Sequence, residues 1–291
     1  MQSHSNHSRK KTVHEIIDAK KRREKIAVLT AYDFSMASII DKSEIDIILV
    51  GDSAGMVMLG YMNTRPVNMS EMLLFCRAVS KATSRAMITV DMPFGSYHSS
   101  IEKTIANAVK LVKAGSDSVK IEGGKEICDR ISALVDIGIP VMGHIGYRPQ
   151  TSDMWNFTKA VGKTKESALK LLHDAKAIEK AGAFSIVLEV VTTEAAEIIS
   201  KDLSIPTIGI GSGSACDGQV LVSYDMLGVY QSMKPRFVKK YLDLDHLITD
   251  SVQTYSREVK SGLFPDNEKM IHMDPKECDE FLKECGVRVS R

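Results

Sequence analysis

The chain contains 291 residues, which is enough to bury a large core and lies within the size range of one α/β barrel domain. Its hydrophobic fraction of 44% and charged fraction of 26% are typical of a soluble globular protein. The net charge of +1 gives no reason to expect a nucleic acid or an anionic membrane as partner. No apolar run approaches the roughly 18 residues that a membrane-spanning helix needs.

The N-terminal segment and the cysteines both favour a cytoplasmic protein. Residues 1–11 are rich in Ser, His and Asn, end in three basic residues and lack the apolar region of a secretory signal. We expect a disordered basic tail there, with a transit peptide as the alternative. The five cysteines are scattered and form no Cys-x-x-Cys motif, which predicts reduced thiols.

The first predicted elements are a short helix and a strand. The segment from Thr12 to Glu15 has the pattern of a capping box, which predicts a helix that runs to about Lys20. The basic cluster of residues 20–23 at its end predicts a solvated surface rather than a nucleic-acid site. The apolar run of residues 26–32 predicts the first strand.

Four of the predicted strands end in a carboxylate. The second strand, residues 47–50, is continuously apolar, as in a parallel sheet that is covered on both faces. It leads through Gly51 to a carboxylate, and the same pattern recurs three times later in the chain. The four carboxylates are those of Asp52, Asp91, Glu122 and Glu189. We expect them at one edge of the sheet, because parallel strands all end on the same side.

The rest of the chain alternates helices with strands. Further strands are predicted at residues 139–144, 206–211 and 219–222, and a mainly helical region follows. Residues 113–122 and 180–189 share the pattern Lys-Ala-Gly-x-x-Ser, a short strand and Glu, which indicates two equivalent helix-to-strand joins. We therefore predict an α/β fold, a (β/α)₈ TIM barrel, with a doubly wound open sheet as the alternative. Residues 12–291 would form one domain, the barrel with a C-terminal helical extension.

The carboxylates at the strand ends predict a site for a divalent cation. Asp52, Asp91 and Glu122 would repel one another on neighbouring strands unless a cation lay between them. Oxygen ligands without a His or Cys cluster favour Mg²⁺, or less often Mn²⁺. The alternative is that each carboxylate caps a helix or lies in a solvated loop.

Besides the carboxylates, Lys120 is a candidate residue of the site. It lies two residues before Glu122, so both side chains leave the same face of one strand. A buried lysine needs a carboxylate or an anionic ligand, so Lys120 is a candidate to hold a substrate carboxylate or a developing enolate oxygen; the alternative is an exposed strand residue. Glu189, further round the barrel, is the candidate general base. His144 and Ser53 could each orient a ligand or serve only the local structure.

Taken in order along the chain, these motifs resemble the ketopantoate hydroxymethyltransferase (3-methyl-2-oxobutanoate hydroxymethyltransferase) family. The similarity covers residues 12–262. The segments that carry it are Thr30-Ala31-Tyr32-Asp33, Leu49-Val50-Gly51-Asp52-Ser53, Asp91-Met92-Pro93-Phe94, Val119-Lys120-Ile121-Glu122-Gly123-Gly124, Gly143-His144-Ile145-Gly146, Leu188-Glu189, Ile208-Gly209-Ile210-Gly211, Asp217-Gly218-Gln219 and Arg236-Phe237-Val238-Lys239.

The resemblance implies a barrel of the phosphoenolpyruvate mutase and isocitrate lyase type, in a homo-oligomer that is commonly a decamer. It implies one Mg²⁺ per subunit, with two aspartates as direct ligands and Glu122 directly or through water. The residues that would contact the 2-oxo acid are Asp52, Ser53, Asp91 and Lys120. Glu189 would be the base, and 5,10-methylenetetrahydrofolate would be the co-substrate. The implied reaction converts 3-methyl-2-oxobutanoate into ketopantoate.

The chain departs from the family pattern after the His144 strand. Tyr147 and Arg148 stand where the family has Leu-Thr, before a retained Pro-Gln pair, and residues 152–163 replace a Gly-Gly-Tyr-bearing loop. A changed 2-oxo acid or folate preference is therefore one alternative. The others are a related carbon–carbon lyase, whose Lys-Lys-Cys-Gly motif is missing, and a non-catalytic 2-oxo acid or metal-binding barrel. A nicotinamide dehydrogenase is disfavoured, because the glycine-rich turn of residues 208–213 comes late in the chain.

Overall fold

The computed structural model describes residues 9–151, 160–231 and 235–286. Within them, eight parallel strands pair in chain order, and the last pairs with the first, so that the sheet closes into a barrel. The strands are β1 (Ile26–Thr30), β2 (Ile47–Val50), β3 (Met87–Asp91), β4 (Ser118–Glu122), β5 (Val141–Gly146), β6 (Ser185–Glu189), β7 (Thr207–Ile210) and β8 (Gly218–Leu221). The predicted (β/α)₈ barrel is confirmed, and the open sheet is excluded.

Helices precede, connect and follow these strands. They are α1 (Val13–Arg22), α2 (Phe34–Asp41), α3 (Ala54–Val57), α4 (Met69–Ala82), α5 (Ile101–Lys113), α6 (Cys128–Asp136), α7 (Lys165–Lys180), α8 (Thr193–Asp202), α9 (Ser223–Met226), α10 (Leu244–Ser261) and α11 (Pro275–Glu284). The capping box at Thr12 is formed as predicted, since its side chain accepts from the backbone of Glu15 and the Glu15 side chain accepts from the backbone of Thr12. In the described residues, none of the helices has the length and apolarity needed to cross a membrane.

The chain consists of two compact units. The first, which contains the barrel, ends at Leu242, and the second begins at Asp243 and contains α10 and α11. Neither of these two helices has a buried residue. The interpretation that the helical region extends a single barrel domain stays a prediction.

The inside of the barrel is a packed apolar core rather than a channel. Inward-facing side chains from the strands form one cluster, and Ile16 and Ala19 of α1 belong to it. The other members are Phe184, directly before β6, and the strand residues Ile26, Val28, Ile47, Leu49, Met87, Met142, Val187, Ile208 and Val220. Because α1 packs against the first residues of the strands, it covers the amino end of the barrel.

Aspartates connect neighbouring strands at the covered amino end. Asp46, Asp117 and Asp217 come directly before β2, β4 and β8. Their carboxylates accept hydrogen bonds from the backbone N–H groups of Ala27 (2.9 Å), Ile88 (2.7 Å) and Thr207 (2.8 Å), respectively. Since each donor belongs to the neighbouring strand, these bonds fix the strand register where the barrel begins.

Lysines from the N-terminal segment pair with the same aspartates. Lys10 contacts Asp117 at 2.6 Å, Lys11 contacts Asp46 at 3.1 Å, and Lys20 contacts Asp217 at 3.0 Å. Lys20 also donates to the carbonyls of Ser200 and Ile205. The prediction of a solvated basic surface is therefore wrong for Lys20, because its ammonium is used inside the fold. Of the predicted tail, residues 1–8 lie outside the described residues, whereas Lys10 and Lys11 contact the barrel.

Candidate active site

A cavity of about 780 Å³ opens at the carboxyl ends of the strands. Its lining includes every residue that the sequence singled out for the site, namely Asp52, Ser53, Asp91, Lys120, Glu122, His144 and Glu189. In (β/α)₈ barrels this end carries the active site, because the strand ends and the following loops project side chains into a common space. The structure therefore brings the whole predicted set together around one cavity.

The strand register explains why these side chains are neighbours. Asp91, Glu122 and Glu189 are the last residues of β3, β4 and β6. Asp91 pairs with Lys120 across the sheet, and Glu122 pairs with His144 in the same way. Successive strands thus deliver acidic and basic groups at the same height.

A buried ion pair lies at the centre of this set. Lys120 Nζ is 2.6 Å from Asp91 Oδ1, and the two side chains are only 6% and 4% exposed. The other carboxylate oxygen of Asp91 accepts a hydrogen bond from the backbone N–H of Asp52 at 3.0 Å. Burial by itself lowers the pKa of Lys120, but the charges of Asp91, Glu122 and Asp52 outweigh it and raise that pKa, so the ammonium stays protonated.

The other two buried carboxyl groups, those of Asp52 and Glu122, have raised pKa values. Burial, and then the charge of Asp91, raise the pKa of Asp52 to about 7. Burial also raises the pKa of Glu122 well above its ordinary value, although Lys120 opposes the shift. Two carboxyl groups that resist ionisation in one cavity are the arrangement that a bound cation would relieve.

Gln150 joins two of these carboxylates, and the sequence reasoning did not assign it a role. Its Nε2 donates to Asp52 Oδ2 at 2.8 Å, and its backbone N–H donates to Glu122 Oε2 at 3.2 Å. Its Oε1 accepts from the hydroxyl of Tyr97 at 2.7 Å. Gln150 belongs to the Pro-Gln pair that the resemblance had already marked as retained, which was the one available signal for it.

His144 connects the ion pair to Glu189. Its Nδ1 lies 3.4 Å from Lys120 Nζ, while its Nε2 lies 3.0 Å from the carbonyl of Tyr147 and 3.3 Å from Glu189 Oε2. Burial and then Lys120 lower the pKa of His144, so the imidazole is neutral. The contacts fit the tautomer in which Nε2–H donates to Tyr147 and Glu189 and Nδ1 accepts from Lys120.

The backbone turns sharply directly after Glu189. Val190 has a φ of +51°, and among the described residues it is the one β-branched residue in the left-handed region. Hydrogen bonds hold this conformation, since the Val190 N–H donates to the carbonyl of Ile210 and its carbonyl accepts from the N–H of Val161. The Glu189 side chain remains 17% exposed, so it faces the cavity more openly than the other carboxylates.

The oxygen donors around the cavity are of the kind that binds a divalent cation. Within residues 9–151, 160–231 and 235–286, no group of three or more His, Cys, Asp or Glu side chains could hold a metal ion by itself. Asp91 Oδ1 is buried and lies 2.6 Å from Lys120 Nζ. Buried oxygen donors from one or two carboxylates, completed by water and substrate, are the usual way in which proteins bind Mg²⁺. The donor types therefore fit Mg²⁺, and the roles of Asp52, Asp91 and Glu122 as its ligands stay predictions.

The divergent segment after His144 contributes to the same cavity. Tyr147, Pro149, Ala160 and Lys163 line it, while residues 152–159, which include Trp155-Asn156-Phe157, lie outside the described residues. A change of side-chain preference in this region therefore stays a prediction.

The family model described as ketopantoate hydroxymethyltransferase matches residues 10–267. A 3-methyl-2-oxobutanoate hydroxymethyltransferase of Nitrosopumilus maritimus (strain SCM1) is 51% identical over 276 residues, which cover 95% of this chain and 99% of that protein. The protein of the same name from Thermoanaerobacter sp. (strain X514) is 48% identical over 259 residues, or 89% of this chain and 94% of that protein.

Solved structures with low sequence identity share the fold. A phosphonopyruvate hydrolase in complex with oxalate and Mg²⁺ is 11% identical, with a TM-score of 0.60 over 95% of both chains. A 2,3-dimethylmalate lyase, a member of the PEP mutase/isocitrate lyase superfamily, is 15% identical, with a TM-score of 0.58 over 95% of this chain and 98% of that one. These similarities identify the barrel type and carry no argument about the reaction.

Proposed function

Because the chain belongs to the ketopantoate hydroxymethyltransferase family, we propose that it transfers a hydroxymethyl group from 5,10-methylenetetrahydrofolate to 3-methyl-2-oxobutanoate. The protein is an enzyme, a one-carbon transferase. The product would be ketopantoate, which supplies pantothenate and coenzyme A biosynthesis. The observation that carries the proposal is the buried Asp91–Lys120 pair beside Asp52 and Glu189 in one cavity.

Asp52 and Asp91 would hold one Mg²⁺ per subunit, with Glu122 through water. When bound, this ion would act as a Lewis acid that draws electrons from the keto group of the 2-oxo acid and acidifies its C3–H bond. Gln150 keeps Asp52 in place through the 2.8 Å hydrogen bond to its Oδ2. The phosphonopyruvate hydrolase of the same fold is described in complex with oxalate and Mg²⁺, which supports the choice of Mg²⁺ in this proposal.

Lys120 would stabilise the negative charge that develops on the keto oxygen. Its ammonium is already buried, and the surrounding carboxylates keep it protonated. Ser53 would donate to the substrate carboxylate, since its Oγ is held 2.8 Å from the hydroxyl of the buried Tyr32. These groups are in place before the substrate binds, so little reorganisation is required when the charge develops.

Glu189 would remove the C3 proton of 3-methyl-2-oxobutanoate. The bonding electrons move into a C2–C3 double bond, and the keto oxygen takes the negative charge. The C3 carbon of this enolate then forms a bond to the methylene carbon of the folate. Both bonds from that carbon, to N5 and to N10 of the folate, break, and water supplies the hydroxyl oxygen of ketopantoate. The proton removed from C3 and the second proton of water end on the two nitrogens, and tetrahydrofolate leaves. His144, 3.3 Å from Glu189 Oε2, would orient the carboxylate for this step.

We also propose that the enzyme is a cytoplasmic homo-oligomer. All five cysteines lie in the described residues as free thiols, which supports a reducing compartment. Helix α10 presents apolar side chains at helical spacing that are about half exposed or more, and an exposed stripe of this kind supports self-association. They are Leu247, Ile248, Val252, Tyr255 and Val259. Analytical ultracentrifugation tests this, and a monomer at micromolar concentration would contradict it.

The activity is tested by supplying 3-methyl-2-oxobutanoate, 5,10-methylenetetrahydrofolate and Mg²⁺ and measuring ketopantoate. In a second assay without folate, the C3 hydrogen of the 2-oxo acid should exchange with deuterium from solvent. We expect Glu189→Gln to bind Mg²⁺ normally and to lose at least about 100-fold in exchange rate. Undiminished exchange in this variant would remove Glu189 from the role of base.

A further inference from the structure

The cavity has a second half that the reaction at C3 does not use. The acidic and basic groups described above come from the ends of β2 to β6, whereas β7, β8 and the segment that follows them contribute mainly apolar side chains. These are Ile210, Val220, Val222, Tyr230, Phe237 and Val238. A volume of 780 Å³ is in the range of pockets that hold drug-sized ligands, far more than a short 2-oxo acid fills. The apolar half is therefore the place for a larger molecule.

One carboxylate stands in this apolar half. Asp225 of α9 lines the cavity, and within the part of the chain that the structure describes its side chain forms no hydrogen bond or ion pair. Burial alone raises the pKa of Asp225 to about 6, so the group is largely ionised at neutral pH without a partner. A desolvated carboxylate of this kind gains most from a ligand that presents N–H donors.

The aromatic ring of Phe237 lies in the same half of the cavity as Asp225. Phe237 lines the cavity and packs directly on the backbone of Gly211, whose φ is +64°. A Cβ at Gly211 would lie 2.6 Å from the Phe237 ring, so only glycine lets the ring lie this close. The ring is thus held from one side, and its remaining face is available to a planar ligand.

We propose that Asp225 and Phe237 form the subsite for the pterin ring of the folate co-substrate. A pterin presents two adjacent N–H donors, on N3 and on its 2-amino group, which match the two oxygens of a carboxylate as the donors of an arginine do. The fused ring is planar and packs on an aromatic side chain. This inference rests on the proposed function, since it concerns the second substrate of that reaction.

The test compares Asp225→Asn with Asp136→Asn, which alters an exposed carboxylate on the last residue of α6, outside the cavity. For Asp225→Asn we expect the KM for 5,10-methylenetetrahydrofolate to rise about 10- to 100-fold, because a hydrogen-bonded charge is lost. The KM for 3-methyl-2-oxobutanoate should stay near that of the unsubstituted enzyme. Asp136→Asn should change neither constant.

A binding measurement separates the pterin from the tail of the folate. Calorimetric titration with tetrahydrofolate and with 6-methyltetrahydropterin should give the same fold loss of affinity in Asp225→Asn, since both carry the recognised edge. A loss confined to tetrahydrofolate would overturn the assignment of the pterin. Phe237→Leu, which keeps an apolar side chain and removes the flat ring, should also weaken both ligands.

The failures of the two proposals can be told apart. An unsubstituted protein that makes no ketopantoate and exchanges no C3 hydrogen contradicts the proposed function itself. An active protein whose Asp225→Asn variant keeps the wild-type KM for the folate overturns only the subsite. An unchanged urea midpoint for Asp225→Asn would show that a raised KM is not a folding defect.

Discussion

The two ends of the barrel place the same kind of side chain in opposite electrostatic settings. At the amino end, Asp41 accepts hydrogen bonds from the backbone N–H groups of Ser84 and Ala86, both at 2.8 Å. Although burial by itself raises the pKa of Asp41, these donors hold it below its ordinary value. At the carboxyl end, burial and the charge of Asp91 raise the pKa of Asp52 to about 7.

The difference shows what each end contributes. A carboxylate that accepts several N–H donors favours its charged form in the folded state, so it stabilises the barrel at neutral pH. A carboxyl group crowded by others resists ionisation, so it makes the fold less stable at neutral pH and is ready for a cation and a substrate. Removing the charge of Asp41 should therefore destabilise the fold, whereas removing the charge of Asp52 should stabilise it.

The largest effect on stability is expected for Lys120→Met. It removes one partner of a buried ion pair and leaves Asp91 without its counter-charge, which costs about 3–5 kcal/mol of unfolding free energy. Urea unfolding at pH 7.5 measures this, with Lys103→Met on the exposed face of α5 as the control. Added Mg²⁺ should recover part of the loss if Asp91 is a ligand, and no recovery would count against that role.

Asp41→Ala is expected to destabilise the amino end without affecting catalysis. The backbone N–H groups of residues 84–86 lose their acceptor, which costs about 1–3 kcal/mol. The KM values and kcat should remain those of the unsubstituted enzyme at temperatures where both proteins are folded. A loss of activity in folded protein would refute the division between the two ends.

Asp52→Asn should stabilise the chelator-treated protein. The folded-state pKa of Asp52 is raised, so its contribution to stability is complete below the unfolded pKa of about 4 and is lost as the pH rises through about 7. At pH 8 the substitution should add at least about 1 kcal/mol, the equivalent of one pKa unit. Denaturation in EDTA at several pH values measures it, and equal pH slopes in the two proteins would contradict it.

Asp41 should show the opposite pH dependence. Its folded-state pKa is lowered, so its contribution is present above the unfolded pKa of about 4 and is lost as the pH falls below that value. The difference in unfolding free energy between the unsubstituted protein and Asp41→Ala should therefore narrow between about pH 4 and 2. A constant difference over that range would mean that the strength of the hydrogen bonds to Asp41 does not depend on the charge of its carboxylate.

The smallest effect is expected for Lys10→Met, which breaks a partly exposed ion pair at the amino end. The side chains of Lys10 and Asp117 are 36% and 32% exposed, so we expect a loss of only about 0–1 kcal/mol, which salt should reduce further. A loss comparable with that of Lys120→Met would mean that burial does not determine how much an ion pair at either end stabilises the fold.

The sequence predicted the barrel and the residues that meet at the candidate site because both follow from short-range patterns. Apolar runs that end in a carboxylate place Asp91, Glu122 and Glu189 at strand ends, and parallel strands bring those ends together. The two-residue spacing of Lys120 and Glu122 likewise predicted that they share a face, and both are buried at the cavity.

Residues in the irregular segments could not be placed in the same way. Gln150 and Tyr97 lie in loops, where no periodicity indicates which side chain turns inward, and their contacts join distant segments. Asp225 follows the last predicted strand, in a region for which the sequence indicated only helix. Lys20 looked like a surface residue because its partners, Ser200 and Ile205, are far away along the chain.

The first helix is synthesised long before the residues to which it is finally attached. Lys20 is bonded to carbonyls that are 180 and 185 residues further along, and the strand after it is completed only by β8. The helix therefore leaves the ribosome long before its permanent neighbours are translated. Until β8 emerges, the barrel is open and the cluster that buries Ile16 and Ala19 is incomplete, so a nascent chain stalled before that point exposes them to chaperones and proteases.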